Sequence, residues 1–136
     1  MKLEVEGKPP LENVKAPQLR STLKALRSYG PASYASLTDE SGNYLQVAGG
    51  GVTCMMEKRD VAANRHFRAY QDKRSPVFAD GSILAFSGGE IKLLADEWFT
   101  SADVEETFLA FLEGNPPPSR IKWRDITDIL QASTAR

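Results

Sequence analysis

Residues 34–57 read YASLTDESGNYLQVAGGGVTCMME, and this stretch decides the fold. Three runs in it, at 34–38, 44–48 and 52–57, are rich in the β-branched, aromatic and aliphatic residues that favour strands. A polar run at 39–43 separates the first two, and three consecutive glycines separate the last two. Both separators have the composition of tight turns, because glycine and asparagine tolerate the positive φ that hairpin turns require. The stretch therefore predicts a three-stranded antiparallel meander.

Further strands are predicted on both sides of this meander. Residues 3–6 alternate apolar and charged side chains, which predicts a short strand near the N-terminus. Residues 66–70 alternate polar and aromatic side chains, a pattern typical of a strand at the edge of a sheet. The apolar runs 83–86 and 90–94 flank the sequence Ser-Gly-Gly, which predicts a tight hairpin. Together these runs predict a mainly antiparallel sheet.

Two helices are predicted, one before the meander and one after the hairpin. Pro17 suits the first turn of a helix, and leucines follow it at helical spacing until a Gly-Pro pair ends the run. Thr100 and Asp103 form the pattern of a helix-opening capping box, and the apolar face that follows ends at a glycine and three prolines. Residues 121–130 supply a last apolar segment. This order predicts a single α+β domain over residues 1–136, an antiparallel sheet meander with two main helices packed on it.

Length and composition limit the classes of protein to which the chain can belong. At 136 residues, with 41% hydrophobic and 26% charged residues, it has the usage of an ordinary globular domain. Seventeen basic and eighteen acidic residues leave a net charge of −1, which argues against general binding of nucleic acid. No run approaches the ~18 consecutive apolar residues of a membrane span, and the N-terminus lacks an apolar signal region. We therefore expect a cytoplasmic protein with no membrane association and no direct nucleic-acid partner.

The chain offers little catalytic equipment. The glycines at 49–51 lack the spacing of a dinucleotide-binding fingerprint and the Lys-Ser/Thr pair of a phosphate-binding loop. Cys54 and His66 are the only cysteine and histidine, so they match no zinc-ligand spacing and form no recognisable nucleophile–base pair. A single cysteine also excludes an intrachain disulfide and fits a reducing compartment. We therefore predict a protein that is not an enzyme and holds no cofactor or metal, with Cys54 buried in a strand.

Charge is distributed unevenly along the chain. Between residues 57 and 74 six basic residues outnumber three acidic ones, whereas between 80 and 113 eight acidic residues face one lysine. The two segments either neutralise each other as solvated faces, or the acidic one steers a basic protein partner. On the second interpretation, the expected partner-contacting residues are surface carboxylates together with one tryptophan: Glu90, Asp96, Glu97, Trp98, Asp103 and Glu106.

The two tryptophans have different expected roles. Trp98 follows two carboxylates at a junction between a strand and a helix, where it could anchor an interface or hold the helix N-terminus against the core. Both roles stay open. Trp123 lies among isoleucines near the end of the chain, and we assign it mainly to the core.

Several of these segments occur in the same order in a known family. The chain has an N-terminal helix, a glycine-bearing strand at 44–50, a hairpin, and a helix that ends in FLAFLEG at 108–114, followed by prolines and Ile-Lys-Trp at 121–123. From about residue 14 to residue 130 it resembles the first-numbered immunity-protein family of bacterial polymorphic toxin systems. The resemblance implies a small cytoplasmic antidote, a monomer or one half of a 1:1 complex, that binds one cognate toxin domain and occludes its active site. Such toxins are often nucleic-acid deaminases or nucleases, and the resemblance brings no catalytic residues.

Two alternatives from other functional classes stay open. One is a small ligand-binding or enzymatic domain that uses the basic segment 58–74 to hold an anionic substrate. Its anion-binding residues would be Arg59, Arg65, His66 and Arg68. The other is a structural subunit in which surfaces around Trp98 and Trp123 pair in a homo-oligomer. A metabolite bound to the purified protein would favour the first alternative, and a dimer mass in solution the second.

Overall fold

The computed structural model describes residues 1–129 and contains eight strands and two long helices there. The first part of the chain comprises β1 (Lys2–Val5), α1 (Ala16–Ala25), β2 (Tyr34–Thr38), β3 (Tyr44–Gly50) and β4 (Thr53–Asp60). The second part comprises β5 (Arg65–Tyr70), β6 (Ser82–Phe86), β7 (Gly89–Leu93), α2 (Ser101–Glu113) and β8 (Lys122–Asp125). Leu130, at the end of the predicted apolar segment, lies outside the described residues.

Six of the strands form one antiparallel sheet in the order β1-β2-β3-β4-β5-β8, and β6 pairs with β7 in a separate two-stranded sheet. The first five strands of the larger sheet are therefore a meander, to which β8 returns after α2. The predicted α+β fold, with an antiparallel meander and two main helices, is confirmed. The sequence pattern does not predict that the β6–β7 hairpin forms a sheet of its own.

The triple glycine ends β3 and allows α1 to approach the sheet closely. A Cβ atom at Gly50 would lie 2.0 Å from the carbonyl oxygen of Leu26, the residue that follows α1. Gly49 has a φ of +92° and Gly51 a φ of +66°, values that other residues rarely adopt. The predicted turn at 49–51 is therefore only partly right. Gly49 and Gly50 belong to β3, and the chain reverses at Gly51 and Val52.

Both helices pack on one face of the six-stranded sheet and bury the main hydrophobic core against it. Alternation along each strand sends every second side chain to this face. Leu19 and Leu23 of α1 and Val104 and Phe108 of α2 pack there. The sheet contributes Leu3, Ala35, Leu37, Leu45, Val47, Cys54, Met56 and Ala69. Burial raises the pKa of the Cys54 thiol to about 12, so the predicted buried strand cysteine is confirmed as an unreactive core residue.

The start and end of α2 agree with the sequence prediction. Thr100 Oγ1 accepts a hydrogen bond from the Asp103 N–H at 3.3 Å, and the Asp103 carboxylate accepts one from the Thr100 N–H at 3.1 Å. Gly114 ends the helix in the left-handed conformation, with a φ of 73°. The predicted second helix is therefore confirmed with its caps.

A smaller hydrophobic cluster lies on the opposite face of the sheet, beneath the β6–β7 hairpin. Its buried members are Ala48, Met55, Leu84, Leu93 and Trp98. Trp98 is only 6% exposed, and its ring stacks on Phe78 with the two centroids 4.1 Å apart. Trp98 is therefore a core residue in the isolated chain, which is one of the two roles expected for it.

Candidate functional site

Polar side chains cross the face of the six-stranded sheet that lies opposite the helices, in one continuous row. The strand register aligns one residue from each strand, because each is the Cα partner of the next. In sheet order the row consists of Glu4, Ser36, Gln46, Glu57, Arg68 and Arg124. Their neighbours along the strands belong to the helix-side core, so the row lies on the face that the helices leave uncovered.

Glu57 lies near the middle of this row and is almost completely buried, with 7% of its surface exposed. One carboxylate oxygen lies 3.0 Å from His66 Nε2 and accepts a hydrogen bond from Gln46 Nε2 at 3.2 Å. The other oxygen accepts a hydrogen bond from Arg68 Nε at 2.9 Å. A buried carboxylate is costly unless it is paired and hydrogen-bonded, and these three partners meet that requirement.

A second buried carboxylate, Glu97, extends these contacts beyond the sheet. It is 2% exposed, and its side chain accepts hydrogen bonds from Arg124 Nη1 at 2.8 Å and from the backbone N–H of Leu94 at 2.7 Å. Arg124 also donates to Asp96 at 3.1 Å, and its guanidinium lies 4.3 Å from the ring centroid of Tyr70. The prediction that Glu97 is a surface carboxylate is wrong, because an arginine 27 residues away holds it inside the fold.

These contacts join into one polar network, which we define as His66, Glu57, Arg68, Glu97, Arg124 and Asp96. Arg68 connects its two halves, since its Nη1 atom lies 3.8 Å from the second buried carboxylate. The network contains three carboxylates, two guanidinium groups and one imidazole, and each guanidinium lies within 4 Å of two of the carboxylates. The charged groups of the network are therefore engaged mainly with one another.

The surroundings of His66 do not resemble a nucleophilic catalytic site. Its side chain is buried between the Glu57 carboxylate and the Tyr44 hydroxyl, which lies 3.5 Å from Nδ1. Within residues 1–129, no serine, threonine or cysteine side chain is hydrogen-bonded to either ring nitrogen. A nucleophile activated by histidine requires such a contact. The observed partner of the His66 ring within these residues is the Glu57 carboxylate.

An open groove of about 440 Å³ runs along the same face, between the first two strands and the β6–β7 hairpin. We call it the acidic groove, because its ionisable lining residues are Glu4, Glu6 and Glu57 with a single lysine, Lys8. Tyr34 and Phe86 form part of its walls and meet edge to face, with their ring centroids 6.0 Å apart. The groove therefore combines negative charge with aromatic surface.

Glu6 holds the two walls of the acidic groove together. Its carboxylate accepts hydrogen bonds from the Ser33 N–H at 2.7 Å and the Ser33 hydroxyl at 2.8 Å, and the Ser87 hydroxyl donates a third. Because Ser87 belongs to the hairpin, this contact ties β6 and β7 to the N-terminal strands. The hydrogen bonds from Ser87 and then Ser33 lower the pKa of Glu6 below its ordinary value. Glu6 therefore keeps its charge in mildly acidic solution.

The predicted acidic contact surface is divided among three places. Residues 96–98 belong to the polar network and the hairpin cluster described above. Asp103 and Glu106 lie on α2, where Arg120 donates to their carboxylates at 2.9 Å and 2.6 Å and lowers the pKa of Glu106. Glu90 is exposed on the hairpin and forms no ion pair within the described part of the chain. The fold therefore does not bring these six residues together.

The predicted basic anion site is divided in a similar way. Two of its residues, His66 and Arg68, belong to the polar network. Arg65 lies 3.7 Å from the carboxylate of Asp125, and the Arg59 guanidinium donates to an asparagine in the turn that follows β4. These four basic residues do not converge on one site.

Sequence reasoning missed the residues that line the acidic groove. Glu4 and Glu6 alternate with Leu3 and Val5 along β1 and the residue that follows it, which is a signal that the two carboxylates point to the same side. Their distance along the chain from Glu57 hides the fact that all three carboxylates line one groove.

Residues 1–129 include no helix that is both long and apolar enough to cross a membrane. In the same part of the chain, no group of three or more His, Cys, Asp or Glu side chains is placed to hold a metal ion. No protein-family model matches the sequence, and no curated protein matches it.

Proposed function

We propose that this protein is an immunity-type inhibitor that binds a basic toxin domain through the acidic groove and occludes the toxin's active site. The observation behind this is the charge of the groove, in which Glu4 and Glu6 face one lysine although the whole chain has a net charge of only −1; the third carboxylate, Glu57, is paired with Arg68. A concave site of one sign attracts a partner of the other sign and raises its association rate. Toxins that act on nucleic acid need basic substrate channels, so these carboxylates would take the place of phosphates there.

The acidic groove also offers apolar surface of the kind that protein interfaces use. Tyr34 is 41% exposed at its edge, and Phe86 and Ile91 line it from the hairpin. Aromatic and other apolar side chains supply most of the binding energy of interfaces, whereas charges govern association and orientation. The floor of the groove is a hydrogen-bonded sheet, so little conformational freedom is lost when a partner binds.

Glu4 is the groove carboxylate that is most available to a partner. It is exposed, and within residues 1–129 its ion pair is with Lys2, at 3.5 Å. Exposed pairs of this kind contribute little to stability, so a lysine or arginine of the partner can replace Lys2 at small cost. Glu6 is held by hydrogen bonds from serines and contributes a fixed negative charge, whereas the charge of Glu57 is compensated by Arg68.

The proposal places inhibitor and toxin together in the cytoplasm as a 1:1 complex. Its test is co-expression with the protein encoded beside this chain, followed by growth rescue and by binding kinetics at several salt concentrations. Glu4→Lys should slow association about three- to tenfold and weaken its salt dependence, because it replaces a negative charge in the groove by a positive one. Glu113→Lys is the matched control, since Glu113 is exposed at the end of α2 and does not line the groove.

The possible outcomes test the immunity function and the position of the toxin-contacting surface separately. If no toxin domain encoded nearby binds the protein, the immunity function is wrong. If one binds and Glu4→Lys behaves like Glu113→Lys, the protein is an inhibitor whose contact surface lies outside the acidic groove.

A further inference from the structure

A second groove, of about 320 Å³, opens on the helix side of the sheet, between α2 and strands β3, β4, β5 and β8. We call it the lysine groove. Its apolar walls include Leu45, Phe67, Phe111 and Trp123, and its charged lining residues are Lys58, Arg59 and Asp60. Alternation along β4 turns the Arg59 side chain to the opposite face, beside Tyr44, so Lys58 is the cation that this groove offers. Its volume lies at the lower end of the range for small-molecule sites.

Lys58 is a half-buried cation that lies beside two aromatic rings. Alternation along β4 turns its side chain to the same face as Met56, towards the helices. Its ammonium lies 4.4 Å from the ring centroid of Trp123 and 5.4 Å from that of Phe67. It forms no salt bridge with a carboxylate of residues 1–129. Burial lowers the pKa of Lys58, and the nearby charge of Asp60 opposes this shift.

Trp123 lines the same groove, and the Lys58 ammonium lies over its ring. The indole Nε1 atoms of Trp123 and Trp98 are both buried and have no hydrogen-bond acceptor among the described residues, so neither is open to a ligand in a groove. The binding group that the lysine groove offers is therefore the Lys58 ammonium, and an anionic oxygen can pair with it.

We propose that the lysine groove binds a small aromatic carboxylate. The carboxylate pairs with the Lys58 ammonium, and the ring packs against Phe67 and Phe111. A cavity of ~150 Å³ is enough to hold benzene, so a groove of about 320 Å³ has room for one or two rings. This site does not depend on the immunity function, because the two grooves lie on opposite faces of the sheet.

The experiment is a titration of the full chain with sodium benzoate and with sodium indole-3-carboxylate, monitored through the two tryptophan indole N–H signals by NMR. Trp123→Phe identifies which signal belongs to which tryptophan. We expect a saturable shift of the Trp123 signal and no shift of the Trp98 signal, because Trp98 lies beneath the hairpin on the other face. Neutral benzamide should bind about tenfold more weakly than benzoate, because it lacks the charge-assisted hydrogen bond.

Lys58→Met provides the decisive comparison, since methionine keeps an unbranched apolar side chain but removes the ammonium. It should weaken benzoate binding about tenfold, whereas Lys24→Met, at an exposed position of α1, should bind like the unaltered protein. The melting temperature of each variant controls for folding. If Lys58→Met does not fold, the affinities of benzoate and benzamide for the unaltered protein still test whether the carboxylate charge is needed for binding. The absence of a saturable shift below about 10 mM, or equal affinities in either comparison, would overturn the proposal.

Discussion

The two faces of the six-stranded sheet hold charge in different ways. On the face opposite the helices, Glu57 is buried, and the guanidinium of Arg68 lies only 2.8 Å from its carboxylate. On the helix side, Lys58 is the next residue of the same strand, yet it stays half-buried among aromatic rings. The difference shows that a charged side chain is buried on the sheet where it has an oppositely charged partner, whereas one without a salt bridge stays partly accessible to water. We therefore expect the polar network to govern stability, and Lys58 and Glu4 to govern binding.

Among the variants that test this comparison, Glu97→Lys should have the largest effect on the free energy of unfolding. The change removes a buried carboxylate from Arg124 and Arg68 and places a third cation beside them. We expect it to lower the free energy of unfolding by about 3 to 5 kcal/mol, measured by urea denaturation, because a buried charge loses its partner.

Glu90→Lys is the control for that measurement. Glu90 is exposed on the hairpin, so the same change of charge should alter the free energy of unfolding by less than about 0.5 kcal/mol. If the two variants unfold at the same urea concentration, Glu97 is not part of a stabilising network.

A smaller effect is expected from Trp123→Ala. Trp123 is only partly buried against the helix-side core, so its removal should cost about 2 to 3 kcal/mol of stability. Trp98→Ala, at a buried position, should cost about 3 to 5 kcal/mol of stability, and it is the reference with which the loss in Trp123→Ala is compared. Equal losses, measured under the same denaturing conditions, would mean that Trp123 is as deeply integrated in the core as Trp98.

The smallest effect concerns the pH dependence that Glu6 adds to stability. Its pKa is lowered in the fold, so its contribution is fully present above the ordinary value of 4.5 and is lost as the pH falls through the folded value. The melting temperature of Glu6→Gln should therefore lie below that of the unaltered protein at neutral pH, and the gap should close in acid. A gap that stays constant down to pH ~3 would show that the carboxylate charge is not what holds Ser33 and Ser87.

Local patterns are sufficient to predict most of the fold. Alternation and turn composition predict β2, β3 and most of β4, because these strands pair with their neighbours in the sequence. The caps Thr100 and Gly114 predict α2 for the same reason. The pairing of β8 with β5 joins distant segments, and no local pattern indicates it.

The candidate sites are harder to predict than the fold, for a related reason. Acidic residues that are close in the sequence do not form a surface patch when some of them point into the fold. Glu97, for example, is held inside by its hydrogen bond with Arg124. The position of Lys58, in contrast, can be read from the sequence, because it lies two residues beyond Met56 in the same strand. Alternation locates a side chain on a face, but only the tertiary fold decides what it meets there.

The hydrogen bond between Glu6 and Ser87 spans 81 residues, which has a consequence for the order in which the protein is made. Translation completes the first wall of the acidic groove, β1, long before residues 82–93 of the second wall exist. The central meander can form from nearby segments, whereas a contact across so long a loop costs more entropy and forms later. A chain still on the ribosome therefore displays Glu4 and Glu6 without a groove around them, and the groove is completed in one of the last steps of folding.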